Sequence, residues 1–301
     1  MVEEQDTYIN LIDITMSTFV VYSYQFSPSF KNDTPSLFSE ETINEQEVWA
    51  NKQVYFNQMF KSVLTYSYRG SMYESDLLYD ENGLIVFKLA NNKHIVQESR
   101  FVPKKLEHKP SCLILIDNRT DVQNIYIEKN EYSFSDTEVV AKILRRTYNT
   151  CLQQFGLSLV IQKRFKASEF WSIVESAEKG VNMVRFSIQY PNLPNVRAKI
   201  DAMLSDTSKE VHSKETKIEF NAGDGEVLNL SRDSESIKDL VQASAETGND
   251  ITLKLNGFRS YKKVGDTTET VEIDNLEASL SSDLLTSASQ KLIAILNQFK
   301  H

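Results

Sequence analysis

The stretches GLIVFKLANNKHIVQESRF (Gly83 to Phe101) and SCLILIDNRTDVQNIYIEKN (Ser111 to Asn130) each set two β-rich runs around residues that tolerate a left-handed backbone. Asn91-Asn92 is the expected turn of the first, while Asp117, Asn118 and Asp121 supply the turn chemistry of the second. Strands joined in this way pair antiparallel, which separates the chain from doubly wound folds with their regular strand–helix alternation. VPKKLEHKP, bounded by Pro103 and Pro110, reads as the connection between the two hairpins.

On the N-terminal side, residues 7–27 are rich in Ile, Val, Thr, Tyr and Phe and predict one long strand or two in succession. SPSFKNDTPSLFSEET carries Pro, Asn and Asp and predicts a loop. From about 41 to 66, Val48, Val54, Tyr55, Met59, Val63 and Leu64 recur at helical spacing.

Beyond residue 132 the pattern changes. Ser135 with Glu138 forms a capping box ahead of a helix over about 136–155. A strand over 157–166 follows, then a helix capped by Ser168 and stopped at Gly180. VNMVRFSIQYPN is a strand, with a helix after Pro194 through Leu204. TKIEFNAGDGEVLNLS reads as a hairpin tipped by Gly223-Asp224-Gly225. Ser234–Thr247 is a helix closed by Gly248, and DITLKLNGFRSYKK pairs with ETVEI. Residues 282–299 are an amphipathic helix. The fold class is therefore α+β: mainly antiparallel sheets with hairpins, packed by about five helices. The division falls into a strand-rich unit with one long helix (1–132) and an α+β unit (133–301), or both form one compact body.

Nine glycines and six prolines in 301 residues leave little room for long irregular tracts. No run of eighteen apolar residues predicts a membrane span. The acidic start, with Asp13 inside the apolar stretch, does not fit a signal peptide, so a cytoplasmic location is expected. Cys112 and Cys151 read as buried free thiols in a reducing compartment.

His94, His108, His212 and His301 have no metal-ligand spacing, and no CxxC, GxxxxGK[ST], GxGxxG or GxSxG occurs. Neither a metal, a cofactor nor a catalytic residue is thus expected. The nearest approach to a nuclease cluster is Glu107-His108-Lys109, with Asp117 and Glu128-Lys129, and this reads better as solvated charge.

One window runs against the composition. Residues 139–168 hold Lys142, Arg145, Arg146, Lys163, Arg164 and Lys166 and not one Asp or Glu. Everything outside sums to −15, the whole chain's −9 less the window's +6. On a helix, Lys142, Arg145 and Arg146 fall opposite the apolar stripe of Val140, Leu144 and Tyr148. On the strand that follows, Lys163 and Phe165 point one way, with Arg164 and Lys166 the other. If the basic strand end meets the helix stripe, six cations form a surface for phosphates. Arg259, Tyr261, Lys262 and Lys263 add a second basic stretch with an aromatic that can stack on a base. The competing reading is an ordinary solvated face, or one that meets an acidic protein.

From KPSCLILIDNRTDVQNIYIEK through SFSDTEVVAKIL, LSLVIQKRFKASEFWSIV and VRFSIQYPNLPNV, the order of elements resembles the RexA phage-exclusion proteins of lambdoid phages and related bacterial antiviral-defence proteins. The resemblance covers about residues 80–299. It implies a non-enzymatic, DNA-binding, homodimeric sensor that works with a partner protein in a defence system. This chain departs from that picture in its acidity, which argues for a local, salt-sensitive contact with DNA. The alternatives are a protein–protein adaptor of a two-protein system, and a nuclease or hydrolase whose carboxylates meet only in the fold.

Overall fold

The computed structural model describes residues 16–28, 45–63, 65–99, 101–120, 122–189 and 215–274, together with Leu276, Ile293, Ala294 and Leu296. β1 (Met16–Pro28) is thirteen residues long, enough for two strands to share one of its edges end to end. β15 (Thr270–Asp274) pairs with its first part and β10 (Leu157–Lys163) with its second, both antiparallel. Its other edge continues through β9 (Asn124–Glu128), β8 (Ser111–Asp117), β5 (Leu84–Ala90) and β4 (Ser75–Glu81), which completes a seven-stranded sheet.

Tyr22, Tyr24 and Phe26 alternate down one face of β1 and pack with Phe56, Phe60 and Tyr148. These last three come from α2 (Lys52–Ser62) and α3 (Thr137–Leu152), which a small pair, β2 (Tyr66–Tyr68) and β3 (Ser71–Tyr73), adjoins. The opposite face buries Phe19, Val21, Tyr126 and Val271 against Leu276 and Leu296. The expected boundary at 132 falls between β9 and α3, which both belong to this one unit, and β10 and β15 come from beyond it.

A second antiparallel sheet runs β12 (Glu215–Asn221), β11 (Val181–Gln189), β13 (Asp250–Leu255), β14 (Lys262–Val264). α4 (Ala167–Ser176) supplies Phe170 and Trp171 to its core, and α5 (Glu235–Thr247) supplies Val241 and Ala245. The chain crosses between the sheets twice, at 164–166 and 265–269. There Val21, Arg164 and Glu269 exchange backbone hydrogen bonds of 2.9–3.1 Å, and Phe165 bridges Thr268. Gly248 closes α5 at φ +68, and a Cβ there would lie 2.6 Å from the Lys163 carbonyl, so only glycine fits this approach.

The α+β class, the Ser111–Asn130 hairpin, the 181–189 strand and the helix ended by Gly248 follow the sequence reading. Several elements differ. Asn91-Asn92 is no hairpin turn, because β5 pairs with β4 and β8 instead. The chain passes from β5 into a separate two-stranded ribbon, β6 (Lys93–Ser99) with β7 (Val102–His108), so VPKKLEHKP is strand and not connection. Pro103 is tolerated there because a two-stranded ribbon consists of edges.

The helix expected over 41–66 is two, α1 (Glu45–Ala50) and α2, broken at Asn51, and Tyr66 already belongs to β2. Phe56 and Phe60 take the core face, while Val54 is exposed. Asp136, not Ser135, caps α3: its carboxylate accepts from the Glu138 amide at 2.8 Å. Ser168 lies inside α4, whose N-cap is Lys166 and whose last residue is Ser176. The segment after Gly223-Asp224-Gly225 does not return as a strand; Leu228 donates its amide to Val181 instead. β14 pairs with β13, but the ETVEI strand leaves for β1. Ser27 and Pro28 of the loop expected over 27–42 end β1; the rest of that loop, residues 7–15 of the N-terminal strand, the helix after Pro194, Asp121 and most of the 282–299 helix lie outside the described residues.

Candidate functional site: a cleft between the two sheets

The strand's own alternation divides the basic window. Glu138, Ala141, Lys142 and Arg145 share one face of α3 at i, i+3, i+4 and i+7, and that face forms a wall of a cleft of about 380 Å³. Facing it are Lys163 at the end of β10, Phe165 in the crossing beyond it, Asp250 at the start of β13, and Lys263 with Asp266 around β14. Cations that sit far apart along the chain therefore meet in one place.

The cleft holds its own carboxylates. Lys142 donates to Glu138 at 3.0 Å and Lys263 to Asp250 at 3.1 Å. Asp266 accepts from Lys262 at 2.9 Å, and this hydrogen bond raises the pKa of the Lys262 ammonium. Arg145 and Lys163 have no carboxylate partner among the described residues, so the positive surplus rests on them. Tyr22 also lines the cleft. Its hydroxyl is bonded to Thr137 at 2.9 Å, yet burial outweighs that bond and pushes the phenol up, which leaves it neutral.

Arg164 and Lys166 point away from this cleft and line another cavity, of about 370 Å³. Arg164 is 15 % exposed, with Nε 2.8 Å from Glu269 Oε2; the N–H does not aim at the oxygen, so the contact is Coulombic. Arg146 is exposed on α3 and lines neither cavity. The single six-cation surface is thus not formed. In the last hairpin, Lys254 donates to the Arg259 carbonyl, and its Nζ stands 4.9 Å from the Tyr261 ring centre. That cation occupies one face of the only aromatic the reading had offered for stacking.

A residue the sequence reading passed over shapes the cleft wall. Glu169, buried in the first turn of α4, accepts from the amides of Gly265 and Asp266 at 3.1 Å each and of Thr267 at 2.6 Å. One carboxylate thereby fixes the turn from which Asp266 reaches Lys262. No local pattern marks it, because its partners lie almost a hundred residues away.

Two of the carboxylates considered for a nuclease, Asp117 and Glu128, already have partners. Arg119 grips Asp117 at 2.6 and 2.8 Å, and Glu128 accepts from Ser17 and from the Leu113 amide. Among the described residues no group of three or more His, Cys, Asp or Glu is placed to hold a metal, and no helix is long and apolar enough to cross a membrane. Cys112 is buried and Cys151 half-buried; both are free thiols. No protein-family model and no curated protein matches the chain.

Proposed function

We propose that the chain is a non-enzymatic nucleic-acid-binding component of a phage-defence system, and that it grips a strand's backbone locally in the cleft between its two sheets. The observation that carries this reading is the meeting of Lys142, Arg145, Lys163 and Lys263 in one cleft, with Arg145 and Lys163 uncompensated among the described residues. Arg145 offers a planar fork that can take two phosphate oxygens, and Lys163 adds a compact charge beside it. A cleft of about 380 Å³ is of small-ligand size, which favours a short stretch of single strand over a duplex. The chain carries a net −9, so a contact at this cleft is short and salt-sensitive. Its setting in antiviral defence is supported by the RexA-like order of elements over residues 80–299. An adaptor that adds a strand to the edge of the second sheet at β12, which no described strand pairs, is disfavoured, since β12 carries Glu215, Lys217 and Glu219.

The test is a titration of labelled single-stranded DNA at several salt concentrations. Arg145→Glu with Lys163→Glu abolishes the shift, whereas Arg146→Glu with Lys166→Glu leaves it within about twofold. Arg145→Gln with Lys163→Gln, which neutralises the pair without reversing it, leaves a weaker shift whose salt slope is flatter by about 1.4. Equal losses from both pairs would remove the cleft as the site.

A further inference from the structure

The β6–β7 ribbon is laddered to neither large sheet, and none of its described side chains is buried. Its root is nevertheless pinned. The Asn91 amide donates to Pro110 O at 2.9 Å, the Asn91 side chain to Ser133 O at 2.7 Å, and Lys93 Nζ to Tyr132 O at 2.7 Å. Seven residues per strand, at about 3.3 Å each, carry the tip about 20 Å from that root.

The tip is chemically odd. Ser99 pairs with Val102, and Phe101 beside that last pair stands at φ 63. That backbone suits Gly or Asn, and a bulky ring there is a rare placement. The ring does not repay it by packing, since Phe101 is 94 % exposed and Val102 beside it 64 %. In sequence the pair is embedded in Arg100-Phe101-Val102-Pro103-Lys104-Lys105. From Lys93 to His108 there are four cations against two carboxylates, in a chain whose net charge is −9.

We infer that this ribbon is a nucleic-acid arm whose cations follow the phosphates of a duplex while Phe101 wedges between base steps. A two-stranded ribbon has the width that a DNA groove admits, and an apolar side chain at its tip is the device that unstacks a step and kinks the helix. The charge around the tip selects a polyanion over an apolar protein groove. One Phe and one Val are too little apolar surface to hold a bilayer, where stable attachment needs a second anchor. The arm is a different element from the cleft and stands or falls separately.

The full chain is titrated onto a duplex with 2-aminopurine at a central step, whose fluorescence rises on unstacking. Wild type and Phe101→Trp raise the signal. Phe101→Asn, which suits the left-handed turn and removes the ring, loses the rise and binds about tenfold more weakly, within the range of base–aromatic stacking. Lys104→Glu with Lys105→Glu weakens binding and flattens the salt slope by about 2. A Phe101→Asn melting temperature at or above that of wild type shows that the ring does not serve the fold. If Phe101→Asn keeps both signal and affinity, the arm is overturned, whatever the Arg145/Lys163 variant does. If only the cleft variant keeps them, the arm stands and the cleft falls. Capture of anionic phospholipid vesicles that depends on Phe101, with a silent duplex, would overturn the arm in favour of a lipid surface.

Discussion

The two sheets solve the problem of a stable core with different chemistry. Beneath the seven-stranded sheet, buried tyrosines carry their hydroxyls into the core and find partners there: Tyr22 on Thr137, Tyr24 on Asn118, Tyr66 on Tyr148. Among the described residues, the four-stranded sheet's core contains no tyrosine. It is filled by Phe165, Phe170, Trp171, Phe186 and aliphatic residues, and its polar tie is the Glu169 carboxylate at the rim. The first core depends on hydroxyls that burial keeps neutral, whereas the second depends on shape and on one carboxylate that accepts three backbone amides.

Alkali therefore separates the two regions, and it carries the largest expected effect. Burial pushes Tyr22, Tyr24, Tyr66 and Tyr148 upward, and takes Tyr126 and Cys112 to about 12. In the unfolded chain these groups ionise near 10.0 for tyrosine and 9.0 for cysteine. Their folded values are raised, so the stabilisation is complete below pH 9 and drains away as pH climbs through about 12. Tyr126 alone accounts for about 3 kcal/mol, already a large share of the roughly 5–15 kcal/mol that holds a domain folded. Each region has its own tryptophan: Trp49 packs against the first core and Trp171 lies in the second. With Trp171→Phe and Trp49→Phe as single reporters, Trp49 emission changes together with tyrosinate absorbance while Trp171 still reports a folded environment. One shared transition would instead mean that the crossings at 164–166 and 265–269 weld both cores into a single cooperative unit.

Glu169→Gln acts on the other side of the comparison, with a smaller effect. The amide oxygen can still accept from Gly265 and Asp266, but the amide nitrogen then faces the Thr267 N–H, donor against donor. A loss of about 2 kcal/mol follows in denaturant unfolding, read by Trp171 and absent from Trp49 if the regions are independent. The same change loosens the turn that carries Asp266, so strand binding in the cleft weakens even though Glu169 touches no ligand.

What could be read from the sequence was what is local. The Ser111–Asn130 hairpin, the stop at Gly248 and the split of Lys163 from Arg164 and Lys166 all follow from turn chemistry or strand alternation. Pairing partners were not readable, because they depend on which edge is open. β5 looked ready to fold back at Asn91-Asn92, yet its two edges go to β4 and β8 and the Asn91 side chain is spent on Ser133. The cleft shows the same limit. The helix stripe was visible in the spacing of Lys142 and Arg145. The carboxylates that decide which cations remain free come in part from far along the chain, as Asp250 does for Lys263's cleft and Glu269 for Arg164.

Helix starts give the finest measure of the same contrast. In the first region α3 has a side-chain cap, Asp136 on the Glu138 amide at 2.8 Å. In the second, Ser234 precedes α5 in the capping position, but its hydroxyl makes no capping hydrogen bond. A capping sequence and a capping bond are thus different things here, and so are Ser135 and Asp136. Asp136→Ala removes a charge-assisted bond at the positive end of the helix and costs about 1 kcal/mol. Ser234→Ala and Ser135→Ala each cost at most a few tenths, since no bond is lost. Thermal melts of the three variants rank them directly. A Ser234→Ala loss equal to that of Asp136→Ala would show that the second region leans on polar caps as much as the first, and that its contrast with the tyrosine-rich core is confined to the interior.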